Sequence, residues 1–159
     1  MLTRIRFLFV FLLSFYFTDL AQGQIKIAPT IEALGSYEDG AFLGFGLGIR
    51  KGPVELIPSY LIGEGRGGKL ELRWYQKVPE RSRIRPYLTF QQVVFRRVNA
   101  CVNNSCPFVI YQVLPGAGTG IRIGKRFQFL SNVVCGIKFK QNDRINTDFI
   151  LGIGGRYEF

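Results

Sequence analysis

The segment from Gly63 to Lys69, Gly-Glu-Gly-Arg-Gly-Gly-Lys, has residue types and spacing that could bind phosphate. It fits the GxxxxGK portion of a P-loop, whose backbone N–H groups cradle phosphate oxygens. That motif continues with Ser or Thr and then a helix, whereas residue 70 is Leu and residues 69–77 alternate as a strand does. We therefore interpret the segment as a glycine-rich hairpin loop and not as a nucleotide site.

Carboxylates are the other candidates for chemistry, and Glu55, Glu71 and Asp148 could serve as acid and base if they lie inside the fold. The chain contains no histidine, which excludes Ser-His-Asp and Cys-His catalysis and also zinc or haem held by histidine. Pairing of these carboxylates with arginines is the preferred interpretation, because buried ion pairs often fix the register of strands. We expect no catalytic residue, no metal site and no cofactor.

Two of the cysteines, Cys101 and Cys106, flank the short polar segment Val-Asn-Asn-Ser. In an oxidising compartment they could close a small disulfide ring, which we prefer to a pair of free thiols. The spacing is a weak zinc signal, because the sequence offers no second pair of ligands. Cys135 lies in an alternating segment, where a buried or lipid-facing thiol is expected.

The N-terminus has the three parts of a secretory signal peptide. Two arginines precede an apolar run over residues 7–17, and Ala21-Gln-Gly supplies small residues at the cleavage site. The apolar run is far shorter than the roughly 20 residues that a transmembrane helix needs. We therefore predict a signal peptide over residues 1–23 and one exported domain over residues 24–159.

Eight segments of the exported domain alternate between large apolar residues and small or charged ones, the pattern of strands with one apolar face. In the last segment, residues 145–159, the odd positions are mostly large and apolar and the even positions mostly small or polar. No segment has the capped i, i+3, i+4, i+7 spacing of an amphipathic helix, so we predict no helix in the exported domain. The wide spacing of the segments suits strands of about 9–11 residues that cross a bilayer obliquely.

Two arrangements of a closed sheet fit this alternation. With the apolar face outward the barrel would lie in a membrane, and with it inward the chain would be a soluble, lipocalin-like barrel. The positions of the glycines favour the membrane arrangement. Glycines on the polar face, such as Gly44, Gly46 and Gly48, suit the confined interior of an eight-stranded barrel. The interior would then hold a charge network: Glu32, Glu55, Glu71, Arg73, Arg122, Lys138, Asp148 and Arg156.

The C-terminal strand ends in Tyr-x-Phe, with Tyr157 and Phe159 on its apolar face. Together with the signal peptide and eight alternating strands, this ending resembles small outer-membrane β-barrels of Gram-negative bacteria, of the OmpA, OmpX and OmpW kind. In that family the ending is a signature for the barrel-assembly machinery. The resemblance covers residues 24–159 and implies an all-β, eight-stranded antiparallel up-and-down transmembrane β-barrel in the cell outer membrane.

The resemblance also places both termini in the periplasm, which makes the outer loops residues 37–40, 63–68, 98–107 and 140–146. Outer-membrane lipid, lipopolysaccharide and the barrel-assembly machinery are then the expected partners. We expect five arginines to meet phosphates of lipid headgroups or lipopolysaccharide: Arg66, Arg81, Arg83, Arg96 and Arg97. Aromatic side chains near strand ends fit the interfacial girdles of such barrels: Tyr37, Tyr60, Trp74, Tyr87, Tyr111 and Tyr157.

These features predict a non-enzymatic protein with a structural or surface-interaction role, exerted through residues 63–68 and 98–107. A narrow barrel with a charged, filled lumen should pass solutes poorly. Two alternatives to this structural role are a small-solute, porin-like channel and a secreted barrel that binds an apolar ligand. The net charge of +10 does not indicate nucleic-acid binding, because the basic residues are spread over all strands and turns.

Overall fold

The computed structural model describes residues 24–79, 82–97, 109–140 and 145–158, which form eight antiparallel strands. In chain order they are β1 (Lys26–Ser36), β2 (Gly40–Lys51), β3 (Val54–Gly63), β4 (Gly65–Tyr75), β5 (Ile84–Arg97), β6 (Val109–Ile123), β7 (Phe127–Lys140) and β8 (Ile145–Tyr157). No helix in these described ranges combines the length and the apolar character needed to cross a membrane. With 10 to 15 residues each, at about 3.3 Å per residue, the strands are long enough to cross a bilayer core.

Each strand pairs with the next, and β1 pairs with β8 to close the barrel. The closing register runs from Thr30 opposite Arg156 to Ser36 opposite Ile150. A closed sheet leaves no row of unpaired N–H and C=O groups at an edge, which is what a barrel in lipid requires. The predicted all-β, eight-stranded, up-and-down barrel is confirmed.

The apolar face of the sheet points outward along the described strands. Trp74, Leu88 and Ile153 are 64 %, 59 % and 55 % exposed, whereas the charged residues that alternate with them, such as Arg73, are buried. The period of two along each strand separates the faces in this way. The described strands therefore do not have the apolar-inward arrangement of a lipocalin-like barrel.

Inward glycines make room for long charged side chains from neighbouring strands. A Cβ atom on Gly48 would overlap the carboxylate of Glu55, and one on Gly44 would lie 2.8 Å from Cγ of Glu32. The volume that these glycines leave open is therefore occupied by carboxylates.

The prediction of a glycine-rich loop over residues 63–68 is wrong, because β3 reaches Gly63 and β4 begins at Gly65. Only Glu64 joins the two strands. A Cβ atom on Gly67 would overlap the carbonyl oxygen of Val94 on β5. The glycines here permit close approach of neighbouring strands and do not form a flexible loop.

For the other predicted outer loops that include described residues, the predicted bounds differ from the observed strand ends by a few residues at most. Residues 37–39 form the first turn, and Gly40 opens β2 with a φ of 80°. Strand β7 extends to Lys140 and β8 begins at Ile145, which narrows the connection predicted at 140–146. The segment predicted at 98–107 lies outside the described residues.

The barrel has two distinct ends. The loop end carries the turns after β1 and β3 and the connections after β5 and β7. The terminal end carries Gln24, Glu158 and the turns after β2, β4 and β6, and two of those turns contain the positive-φ glycines Gly52 and Gly124. Charged side chains reach the lumen from both ends and from its middle, which makes the lumen the candidate site.

Candidate functional site

The middle of the lumen is a charged group built around Glu71, which is fully buried. Its carboxylate accepts hydrogen bonds from Arg73 Nε at 2.6 Å and from Lys69 Nζ at 2.7 Å. Arg73 Nη2 donates a third at 3.0 Å, and Thr89 Oγ1 donates a fourth at 2.8 Å. Lys69 also pairs with Glu32, so two carboxylates face two cations and the middle of the lumen is electrically balanced.

The local sequence explains how β4 supplies most of this group. Lys69, Glu71 and Arg73 are separated by two residues each, so their side chains emerge on the same face of one strand. An opposite-charge run with this spacing on an inward face builds its own ion pairs. Glu32 on β1 then reaches the same cations from another strand of the barrel.

A second buried ion pair, between Arg156 and Glu55, lies nearer the terminal end. The hydroxyl of Tyr75 donates to Glu55 Oε2 at 2.8 Å and accepts from Arg156 Nη1 at 3.3 Å. The rings of Tyr75 and Tyr87 pack with their centroids 5.2 Å apart, and the Arg73 guanidinium lies 5.0 Å from the centroid of Tyr87. These aromatic side chains connect the second pair to the central group.

The interfacial position expected for Tyr87 is wrong, because this side chain is 1 % exposed and lies inside the barrel. The odd residues of β5 face inward, as Thr89 and Gln91 on the same strand show. The Tyr87 hydroxyl donates to the carbonyl oxygen of Ser131 at 3.2 Å, which satisfies its polar atom within the wall.

An apolar layer lies inside the barrel between the charged middle and the loop end, and the sequence analysis did not anticipate it. Its members come from all strands except β4: Leu34, Phe42, Leu61, Val93, Phe95, Ile110, Leu114, Val134 and Ile150. Phe42 and Phe95 meet edge to face with their centroids 5.0 Å apart. The available signal was the presence of large apolar residues, Phe42 and Ile150 among them, on the glycine-rich faces of β2 and β8.

The loop mouth is the opening of the lumen at the loop end, and it is acidic. Lys138 Nζ lies 3.0 Å from Glu38, pairs with Asp39 and lies 3.9 Å from Asp148. Gln112 Nε2 donates to Asp148 at 2.6 Å and to Asp39 at 3.0 Å. Burial raises the pKa of the Asp39 carboxyl above its ordinary value, although the hydrogen bond and charge of Lys138 oppose this shift. Three carboxylates thus share one lysine, and two of them, Asp39 and Asp148, also share the amide of Gln112.

The terminal mouth, the opposite opening, is basic. Arg50, Arg85 and Arg122 come from β2, β5 and β6, and each is half-buried. The charges of Arg122 and Arg50 both act unfavourably on Arg85, and only Glu158 is a nearby carboxylate that favours it. Glu158 already lies 3.4 Å from Nη2 of the buried Arg156.

The predicted charge network is therefore divided by the structure. Seven of its residues form ion pairs in the three groups above: Glu32, Glu55, Glu71, Arg73, Lys138, Asp148 and Arg156. Arg122 is not brought together with them, and it has no ion pair with a carboxylate of the described ranges. Its inward side chain lies at the terminal mouth beside Arg85.

The arginines expected to meet phosphates also lie at different ends. Arg66 and Arg96 are exposed and opposite each other near the loop end, whereas Arg83 is exposed at the terminal end. Arg81 lies outside the described residues, as does the side chain of Arg97.

Several other predicted features can be located on the outer wall. Exposed aromatic side chains include Tyr37, Tyr60, Trp74 and Tyr157, and Tyr111 is half-buried. Cys135 is an exposed free thiol on the outward face of β7. Cys101, Cys106, Phe159 and residues 1–23 lie outside the described residues, so their predicted disulfide, assembly signature and signal peptide stay predictions.

The described residues contain no group of three or more Asp, Glu, Cys or His side chains arranged to hold a metal ion. The carboxylates of the lumen have cations as neighbours. Glu71 and Glu55, two of the residues considered for acid–base chemistry, each accept hydrogen bonds or ion pairs from Lys, Arg or Tyr. This arrangement neutralises charge and fills space.

Comparisons with solved structures give the same architecture. The N-terminal β-barrel domain of OprF from Pseudomonas aeruginosa matches with a TM-score of 0.68 and 17 % sequence identity, over 87 % of this chain and all of that one. A chain from the de novo design of transmembrane β-barrels matches with a TM-score of 0.55 and 13 % identity, over 84 % of this chain and 95 % of that one. No family model and no curated protein matches the sequence. The chain thus has the fold of eight-stranded transmembrane β-barrels.

Proposed function

We propose that this chain is a non-enzymatic, integral outer-membrane β-barrel with a sealed lumen and a structural or surface-interaction role. The observation that carries the proposal is the distribution of side chains across the wall. Large apolar side chains cover the outside, and ion pairs fill the inside. This is the reverse of what a water-soluble barrel needs and suits a lipid environment.

The exposed apolar surface supports insertion into a membrane. Ile31, Phe45, Val94, Val133 and Leu151 lie on five different strands, and all are more than 40 % exposed. Such a continuous apolar wall is far larger than the isolated patches that soluble monomers expose. In a bilayer the same surface is solvated by acyl chains.

The filled lumen supports a role other than solute transport. The middle of the lumen is blocked by Lys69, Glu71 and Arg73, whose side chains are each at most 1 % exposed. An apolar layer follows toward the loop end. An ion entering this path would have to break buried ion pairs and then cross apolar contacts, which is unfavourable in both steps. We propose on this ground that the porin-like alternative is not the function.

Orientation and partners follow from the resemblance described above. With both termini in the periplasm, the loop end faces the exterior and the connection over residues 98–108 is its longest. Surface partners would meet that connection, the outer wall would contact outer-membrane lipid and lipopolysaccharide, and the C-terminal Tyr157–Phe159 segment would be read by the barrel-assembly machinery.

Fractionation of expressing cells, followed by electrophoresis with and without boiling, tests the proposal. The expected result is a band in the outer-membrane fraction whose mobility changes on boiling, because a closed barrel stays folded in detergent until it is heated. A soluble band without a shift would contradict the proposal. An Ile31→Glu, Leu151→Glu double variant is a useful control, since charges on the lipid-facing wall should reduce the membrane-inserted fraction.

A further inference from the structure

The terminal mouth has an excess of positive charge that the rest of the barrel does not balance. Arg50, Arg85 and Arg122 are accompanied by Lys26, which lies opposite Arg50 in the register and so on the same face. Two carboxylates lie at this end among the described residues, Glu158 and Glu55, and Glu55 is opposite Arg50 in the register. Arg156 pairs with both of them, so neither is left for the three arginines alone. Elsewhere in the lumen, each buried cation has at least one carboxylate partner.

Arg85 lies opposite Gly120, two residues from Arg122 on the same face of β6, and Arg50 is oriented before any ligand arrives. Arg50 donates from Nε to the carbonyl oxygen of Gly52 at 3.0 Å, and its guanidinium lies 4.4 Å from the centroid of the Tyr75 ring. These contacts hold Arg50 at the mouth. Arg85 Nε is buried and has no hydrogen-bond partner among the described residues, so a donor of this side chain is left unsatisfied at a cost in free energy.

We infer that the terminal mouth is a binding site for a phosphate-type oxyanion, held by Arg50, Arg85 and Arg122. Guanidinium groups present planar N–H forks that match phosphate oxygens in bidentate geometry. A multiply charged oxyanion would relieve the repulsion among the three cations and accept from the unsatisfied Nε of Arg85. The site goes beyond the proposed structural role, which requires no ligand at this end.

Two sources could supply such a group, a soluble phosphate compound and a phospholipid headgroup that reaches into the mouth. The barrel is therefore titrated in nonionic detergent micelles with inorganic pyrophosphate, at constant ionic strength set by sodium chloride. In a second arm it is placed in phosphatidylcholine nanodiscs with and without phosphatidylglycerol. The ¹H–¹⁵N resonances of the arginine Nε groups report binding in both arms.

The expected result is a saturable shift of the Nε resonances of Arg50, Arg85 and Arg122 in at least one arm. A response to pyrophosphate in micelles would identify a soluble phosphate as the source, and a response confined to phosphatidylglycerol would identify the headgroup. Either response supports the site. The absence of a saturable response in both arms would overturn the inference.

Variants distinguish a specific anion-binding site from general attraction of the anion to positive charge. Arg85→Gln and Arg122→Gln are each expected to weaken binding by about tenfold, since each removes charge-assisted hydrogen bonds. Lys125→Gln, in the exposed turn at the same end, is the matched control and should change binding less than about twofold. Equal weakening by Lys125→Gln would overturn the inference. Electrophoresis with and without boiling verifies that each variant folds. The two arginine variants are tested separately, so that one remains informative if the other misfolds.

Discussion

The two mouths of the lumen differ in how their charges are compensated. At the loop mouth, Glu38, Asp39 and Asp148 surround Lys138, and Gln112 donates to two of them. At the terminal mouth, the charges of Arg50 and Arg122 act unfavourably on Arg85, and the two carboxylates described at this end, Glu55 and Glu158, both pair with Arg156. The cation of the loop mouth therefore has carboxylate partners, whereas the arginines of the terminal mouth repel each other and are suited to an external anion.

The charged group in the middle of the lumen is balanced, so it is the standard against which both mouths are compared. Its disruption should lower the unfolding free energy the most. Glu71→Gln would leave Lys69 and Arg73 buried with one carboxylate between them, and we expect a loss of about 3–5 kcal/mol in unfolding free energy. Urea titration in lipid vesicles, read by tryptophan fluorescence, measures this. Lys125→Gln in the exposed β6–β7 turn is the control, and an equal loss there would mean that the central group does not stabilise the fold more than an exposed charge does.

The loop mouth should respond almost as strongly. Lys138→Met removes the cation that Asp39 and Asp148 share while keeping much of its apolar length, and we expect a loss of about 3 kcal/mol at neutral pH. The same urea titration measures it. A neutral effect of Lys138→Met would show that the loop-mouth carboxylates are solvated well enough to need no lysine.

The terminal mouth should respond in the opposite direction. Arg85→Gln removes one of the mutually repelling cations, so without a bound anion we expect a gain of roughly 0.5 kcal/mol in stability at low ionic strength. The gain should shrink as salt screens the repulsion. A clear loss of stability at low salt would indicate that Arg85 has a stabilising partner and would remove the contrast between the mouths.

The last expected effect is on the pH dependence of the unfolding free energy. Because the pKa of Asp39 is raised in the folded barrel, its protonated form stabilises the fold at acid pH, and this contribution is lost as pH rises through the folded-state pKa. Asp39→Asn should flatten that part of the stability profile and cost no more than about 1 kcal/mol at neutral pH. Urea midpoints across the acid range check this. A profile that stays unchanged in Asp39→Asn would assign the titration to another group.

Much of the fold was predictable because period-two patterns are local. The alternation along β8 and the Lys69–Glu71–Arg73 run on β4 directly indicate which side chains share a face. The pairing of Arg156 with Glu55 was not predictable in the same way, because it depends on the closure of the barrel and its register. Arg122 shows the consequence, since it is inward as expected and yet lies with other cations.

Two other errors have physical causes of the same kind. The glycines of residues 63–68 favour a loop, since glycine lowers strand propensity, but Gly67 lies in β4, where the close approach of β5 leaves no room for a side chain. The inward apolar layer is not predictable from alternation alone, because an apolar residue in a lipid-facing strand pattern is expected to face lipid. In a barrel this narrow, interior positions such as Leu114 and Val134 pack against each other across the lumen and form a small core of their own.

The central claim is that the outward apolar wall encloses a sealed lumen, and conductance across a planar lipid bilayer tests it most directly. After insertion of the purified, heat-shifting barrel, the account predicts no steady conductance steps at neutral pH, because the Glu71 group and the apolar layer close the path. Reproducible steps of nanosiemens size from the wild-type barrel would contradict it.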